Sequence, residues 1–549
     1  MQKNHRTLAA LAAILLLAFF LRFYGLGEAH SLQQDEALGA YDAYSLFLTG
    51  KDSWGATAPI LFREYGMYAT QLQPYLALPF IALLGLNETA SRLPWALFGA
   101  LAALAAFIVA RELAGGRAGI VAALLAAVSP WLLFSSRLAI QSNIAYPFTA
   151  LGAALLFTAS RKPERLPIAA VFFGLAINLY GNAIAFTSLL LAGYALLYRK
   201  ELWRNRRHAL LALAALAAFA LPLAYTHYNT PAASVYSQLI RFDNPNAWGN
   251  DAHLQPADAL AGNLAAYFSP QFLSSPDILG FTLEYYQYSP NHALPLYLAP
   301  LIIAGVVLAV LHARREKKYA LLLWWIIAAV LAASLFFPAP NARRFNLAAP
   351  AFEVLAATAA IVLLGQAFKH GLFKSNSLKK YAALATLAVL AAWALASTLF
   401  FLGYLYGASA TDAAASPWYG AGFKQAIQYA EAHPEYDVVF LSINQYSTSY
   451  PYAYVLFYAQ YPPQQFQMQG GGKELPQNNW VRVTQVGPRY QVCSPTECSI
   501  WGECGTAWCE NIPANNPLYV LTASERPDLA TILNIAEKGH EPLRLAKRP

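Results

Sequence analysis

A polytopic α-helical membrane protein, followed by a small α/β or α+β unit outside the membrane, is the fold class this sequence predicts. Three observations carry it. Of 549 residues, 57% are hydrophobic and only 12% charged, about half the charge of an ordinary soluble domain. The apolar residues gather into runs near the ~20 residues that cross a bilayer's hydrocarbon core. These runs lie at 8–24, 89–110, 118–135, 144–160, 166–180, 183–198, 209–225, 293–311, 319–337, 346–367 and 381–406. After residue 407 the chain changes to short strand-like runs between polar turns. Together these features exclude a plain soluble enzyme, a disordered chain and a coiled coil. The formal net charge is +8, but the basic residues sit in short loops between apolar runs, so they are topology signals and nucleic acid is not an expected partner.

The first apolar run follows Lys3 and Arg6 in the manner of a signal peptide. Arg22 and Gly25 then follow without a small-residue cleavage site, so it reads as a retained first helix. With the N-terminus inside, alternate connections on the cytoplasmic side carry twenty Lys and Arg, five of them in RKELWRNRR (199–207). The opposite side, over longer loops, carries eight: Arg22, Lys51, Arg63, Arg92, Arg137, Arg241, Arg343 and Arg344. Basic excess marks the cytoplasmic face. Eleven crossings then place residues 407–549 outside, with the long loops 25–88 and 226–292. The chain divides into a membrane domain, 1–406, and an extracytoplasmic domain, 407–549.

Within the first outer loop, Ala37 to Leu48 places Leu38, Tyr41, Ser45 and Leu48 on one helical face. The expectation is a helix lying along the membrane surface with Asp42 facing away. Residues 74–85 are too short to span and read as a second interfacial or re-entrant segment. In the tail, 424–442 reads as helix, turn and buried strand, and VRVTQV, QVCS and LYVLT read as further strands. All four cysteines lie there: Cys493, Cys498, Cys504 and Cys509. Their C-x4-C-x5-C-x4-C spacing lacks a zinc knuckle, and an even number outside the cell favours two disulfides of open connectivity.

Several motifs are missing. There is no phosphate-binding G-x-x-x-x-G-K-[ST], no G-x-G-x-x-G, no H-E-x-x-H and no D-x-D carboxylate pair. Chemistry on the outer face has no ready supply of nucleotide donors, so an activated donor there is most simply carried by the membrane. No cofactor is implied. His227 and His292 flank the second outer loop, but without a third ligand they do not support a divalent metal.

The segment HSLQQDEALGAYDAYSLFLTG (30–50) follows the first helix on the outer face. Asp35 could be a helix N-cap, and Glu36 a residue suited to the helix dipole. A hydrophobic first helix followed by D-E-A also resembles the GT-C glycosyltransferases, in particular the protein O-mannosyltransferase and aminoarabinose-transferase-like branch. The R-L-P at Arg92–Pro94, the Ser-Pro-Trp before Arg137 (115–143) and NARRFNLAAP (341–350) are similar to that branch in the same order. The likeness is good over 8–180 and weaker over 290–370.

The resemblance implies transfer of a sugar from a polyprenyl phosphate to an acceptor on the outer face of a prokaryotic cell membrane. A polyprenyl phosphate leaves without acid assistance, so one carboxylate suffices to take the acceptor's proton. Asp35 is the candidate base, with inversion expected from a single displacement, and Glu36 a second candidate of the catalytic site, placed to orient an acceptor or Asp35's neighbours. Arg137, Arg343 and Arg344, arginines at outer helix ends, are candidates for the donor phosphate because guanidinium binds phosphate oxygens in pairs. Glu353, an ionisable group inside a predicted span, could support them. The acceptor, whether protein, lipid or polysaccharide, is not legible. The rival readings are a transporter or lipid-linked-sugar flippase, against which no paired interrupted helices occur in two halves, and a membrane scaffold displaying its tail.

Overall fold

In the computed structural model the described residues are 2–229, 256–272, 296–369, 378–406, 420–442, 451–493 and 512–547, less short stretches inside these ranges. Among the described residues, the eleven apolar runs lie mostly on helix. Helix α1 (Gln2–Phe23) leads into a loop containing α2 (Gln34–Thr49), a hairpin of β1 (Leu61–Glu64) and β2 (Met67–Thr70), and α3 (Gln73–Leu84). Then come α4 (Glu88–Ala114), α5 (Gly116–Val128), α6 (Pro130–Ser135), α7 (Gln141–Ala159), α8 (Arg165–Ile177), α9 (Gly181–Leu197), α10 (Arg199–Arg204) and α11 (Arg206–Asn229). The second half holds α12 (Pro256–Tyr267), α13 (Ala299–Ala313), α14 (Lys317–Ser334), the short α15 (Ala342–Phe345), α16 (Ala349–Lys369) and α17 (Leu378–Tyr406).

Among the described residues, five helical stretches are long and apolar enough to cross a membrane: His5–Phe23, Glu88–Ala114, Arg206–Asn229, Lys317–Ser334 and Ala342–Ala367. Shorter apolar helices, including α5, α8, α9 and α13, pack beside them. Their contacts are built from small residues. Ala103, Ala106 and Ala110 of α4 and Ala122 and Ala126 of α5 are fully buried in one cluster, and such surfaces let backbones approach closely where lipid offers no hydrophobic drive.

The run 118–135, read as one helix, is broken between α5 and α6. Ser129 takes φ −57° and ψ 120°, and Pro130 has no N–H to offer the carbonyl four residues earlier. Arg22 supplies the missing donors: its Nη2 bonds the Ala126 carbonyl at 3.3 Å, and its Nη1 bonds those of Ala127 at 3.0 Å and Ala18 at 3.1 Å. Arg22 is fully buried, which corrects its reading as an outer-loop charge. Stitching a broken helix inside the bundle is what justifies a guanidinium there.

The tail forms a seven-stranded mixed sheet in the order β4 (Lys473–Gln477), β5 (Trp480–Val486), β6 (Tyr490–Cys493), β3 (Val438–Ser442), β7 (Pro517–Thr522), β9 (Leu543–Lys547) and β8 (Ala530–Ile535). Strand β3 is parallel to both neighbours and buried throughout. Helices α18 (Phe423–Ala432), α19 (Tyr452–Tyr458) and α20 (Pro463–Met468) accompany it. Cys493 ends β6 in a buried position and is no free thiol; Cys498, Cys504 and Cys509 lie outside the described residues.

Helix α2 is not a surface helix. Leu38, Tyr41, Ala77 and Ile81 from the first loop share one buried cluster with Phe423, Tyr452, Leu456 and Phe466 of the tail. Every residue from Glu36 to Ala43 is buried, a run of more than two turns that leaves no solvent-facing side, and such a helix is stable when covered all round.

Candidate active site

The site begins with the first turn of α2. Its N-cap is Gln33, whose side-chain oxygen accepts from the N–H of Asp35 at 2.6 Å and of Glu36 at 3.3 Å, and Glu36 returns the bond by accepting from the Gln33 N–H at 3.0 Å. This capping box corrects the N-cap reading of Asp35, which stands inside the first turn, half-buried.

Glu36 is fully buried and all of its acceptor capacity is engaged. Its Oε1 accepts from Arg92 Nε at 2.8 Å and from the Ala139 N–H at 2.7 Å, and its Oε2 from Arg92 Nη2 at 2.9 Å. Arg92 also donates to the carbonyls of Leu26 at 3.1 Å and Ser31 at 3.2 Å. A carboxylate held this way is no free base. It is the anchor that fixes α2 against α4 and the 136–140 segment. The same segment is tied to α4 again by Trp95, which donates to the Ile140 carbonyl at 2.9 Å.

Arg137 is committed elsewhere. Its Nη1 donates to the carbonyls of Leu21 at 3.3 Å, Arg22 at 2.9 Å and Tyr24 at 2.8 Å, and its Nη2 to that of Gly25 at 3.1 Å. Its guanidinium also lies 4.8 Å from the Tyr406 ring centroid. Leu21 and Arg22 lie in the last turn of α1, whose carbonyls lack helical partners, and Tyr24 and Gly25 follow directly after it. Arg137 therefore closes α1.

Arg343 and Arg344 sit on α15, whose cap is Asn341; the Asn341 Oδ1 accepts from their N–H groups at 3.0 and 3.3 Å. Arg343 is half-buried, while Arg344 is buried with its guanidinium 6.0 Å from the Phe336 ring centroid. Asn182 at the start of α9 holds the Arg344 carbonyl, and Asn346 Nδ2 donates to the Ser142 carbonyl at 3.0 Å. Glu36 is therefore moored at Ala139 and the arginine turn at Ser142. Three residues span at most ~11 Å of chain, so the structure brings the turn that carries Asp35 and the turn that carries the two arginines to one short segment. Glu353 lies buried on α16 facing Ser129, at the break between α5 and α6, with no hydrogen-bond partner for its Oε2 among the described residues. His227 ends α11, and His292 lies outside the described residues.

Asp42, read as the exposed residue of α2, is 2% exposed, and its Oδ1 accepts from the Ser53 N–H at 2.9 Å. Asp52, equally buried, folds the 51–57 loop by accepting from the N–H groups of Trp54 at 3.0 Å and Ala56 at 2.8 Å. Burial, reinforced by the charge of Asp52, pushes the Asp42 carboxyl up to about 8; burial raises Asp52 as well. This pair shapes the loop. Sequence reasoning also read Arg22 only as a topology signal and passed over Gln33 and Gln73. Arg22 carried a signal, as a charge at the end of an apolar run; the two glutamines carried none beyond polarity.

Residues 71–225, from α3 to α11, match the family model of dolichyl-phosphate-mannose-protein mannosyltransferases. No curated protein matches by sequence. Among solved structures, ArnT from Cupriavidus metallidurans bound to undecaprenyl phosphate is 15% identical with a TM-score of 0.54, covering 98% of this chain and 97% of its own. The oligosaccharyltransferase of Archaeoglobus fulgidus is 16% identical with a TM-score of 0.55, over 84% of this chain and 64% of its own. The same archaeal enzyme, AglB, in complex with an inhibitory peptide and a dolichol phosphate, gives a TM-score of 0.53. At these identities the fold is what is shared, and with the family match over 71–225 the chain resembles the GT-C glycosyltransferases, as its D-E-A and R-L-P segments do.

Proposed function

We propose that this chain is an integral-membrane glycosyltransferase that moves a sugar from a polyprenyl phosphate to an acceptor on the extracytoplasmic face. Asp35 takes the proton of the acceptor hydroxyl or other nucleophile as that atom attacks the anomeric carbon. The carbon–oxygen bond to the phosphate breaks, polyprenyl phosphate departs, and configuration inverts. Arg343 and Arg344 receive the phosphate charge. The eleven apolar runs form the membrane domain, and the basic asymmetry of the loops puts the N-terminus in the cytoplasm and residues 407–549 outside, with two disulfides among the four cysteines.

The observation that supports this reading most is the mooring of the Asp35 turn and the Arg343–Arg344 turn to residues 139 and 142 of one segment. A base and a phosphate-binding pair must sit on opposite sides of a single sugar, and this segment is their common support. The test is incubation of the purified protein with undecaprenyl phosphate mannose. Release of free undecaprenyl phosphate, accelerated by an acceptor, is the expected result. Movement of intact lipid-linked sugar across a vesicle membrane without release would favour the flippase reading instead.

A further inference from the structure

Gln73 opens α3, and its side chain crosses to α2. It is 1% exposed. Its Nε2 donates to the Ala139 carbonyl at 2.9 Å and reaches the Asp35 carbonyl at 3.4 Å. The crossing requires glycine at position 39: a Cβ there would stand 2.0 Å from Gln73 Nε2 and 2.6 Å from its Cδ. Ala139 gives its own N–H to Glu36 Oε1 at 2.7 Å. Both polar groups of one backbone residue, Ala139, are thus tied to consecutive residues of α2, one through Glu36 and the other through Gln73. The Gln73 Oε1 is buried without a hydrogen-bond partner among the described residues. An orphaned amide oxygen costs stability, which the two bonds of Nε2 offset only in part.

We propose that Gln73 is a positioning residue for Asp35, acting with Gly39 as the gap that admits it. The inference rests on Asp35 being the base. Glu36 fixes how far α2 stands from the 136–140 segment, and the Gln73 amide fixes the rotation of its first turn. Gln73 itself touches neither donor nor acceptor. Losing the amide leaves the donor phosphate contacts in place and lowers the fraction of time the carboxylate is aligned, an effect on kcat and not on donor KM.

The experiment uses full-length protein in detergent with undecaprenyl phosphate mannose, comparing wild type, Asp35→Asn, Gln73→Ala, Gly39→Ala and the Gly39→Ala/Gln73→Ala double variant. Gln73→Ala and Gly39→Ala should each lower kcat by about tenfold or more, with donor KM within about twofold. The double variant should be no slower than Gln73→Ala alone, because a methyl at 39 acts only by expelling an amide that is already gone. A merely structural role predicts losses of kcat that follow the loss of melting temperature instead. Near wild-type kcat in folded Gln73→Ala, additive losses, or a change confined to KM would overturn the proposal. Gln73→Leu replaces Gln73→Ala if the latter does not fold. Should wild type show no turnover, or Asp35→Asn be fully active, the catalytic reading falls, and hydrogen exchange over residues 34–40 decides for Gln73 alone: exchange about tenfold faster in both single variants supports the tie, and unchanged exchange removes it.

Discussion

Asp42 illustrates how a residue's surroundings reverse its meaning. On the α2 sequence it looks like the solvent-facing acid, yet it is buried beside Asp52 and its carboxyl is pushed up to about 8. In the unfolded chain it would titrate near ~3.9. Between those values the folded state holds a proton that the unfolded state has lost, so stability contributed at acid pH disappears as pH rises through about 8. Wild type is expected to melt several degrees lower at pH 9 than at pH 6. Asp42→Asn should be the more stable protein at pH 9 and show a flatter dependence. A thermal-shift series across that range checks it; parallel curves for the two proteins would show that Asp42 does not set the slope. The same lesson applies to Arg137 and Glu36, whose types suggested chemistry and whose partners are the end of α1 and the Arg92–Ala139 anchor.

At the scale of elements, α2 is fixed by one ion pair at its first turn. Glu36 and Arg92 are 0% and 1% exposed as side chains and 2.8 Å apart. Breaking a buried pair by neutralising one partner leaves the other charge uncompensated, at a cost of roughly 3–5 kcal/mol. Glu36→Gln should therefore lower the melting temperature and impair turnover together, in contrast to a change at the base itself. A variant that keeps wild-type stability would mean that Arg92 finds another acceptor. Helix positions were legible from hydrophobic runs: α4, α7, α9 and α14 lie within a few residues of the predicted segments, and the 37–48 and 74–85 stretches are α2 and α3. The break at Ser129–Pro130 was not read, because an apolar run continues through it and the cost of the break is met by Arg22, 107 residues away in sequence.

Across the whole molecule the tail and the membrane helices meet on α2. Gln467 Nε2 on α20 donates to Ser45 Oγ and Thr49 Oγ1, both at 3.0 Å, and to the Asp52 carbonyl at 2.8 Å. Tyr41 donates to the Tyr461 carbonyl at 2.7 Å, and Lys424 pairs with Glu88 at 2.8 Å. Sequence patterning identified strands in the tail but could not show that it covers α2, since such packing depends on contacts more than 370 residues apart, as between Tyr41 and Tyr461. Gln467→Ala should cost about 1 kcal/mol and raise hydrogen exchange in the C-terminal half of α2 and in residues 51–57, leaving α4 to α9 unchanged. Equal protection in the variant would mean that the apolar contacts with Phe466 suffice.

Everything functional in this account turns on the carboxylate of Asp35. The cap of α2 belongs to Gln33, so Asp35→Asn leaves the capping box, the Glu36–Arg92 pair and the Gln73 tie in place. The measurement is the rate of undecaprenyl phosphate release by Asp35→Asn, with Glu28→Gln, a change at an exposed acid of the same loop, as control. Loss of a general base lowers turnover by roughly 10²–10⁴; a loss of that size is expected with donor affinity and melting temperature unchanged, and a mild effect at Glu28. Near wild-type release by a well-folded Asp35→Asn would contradict it.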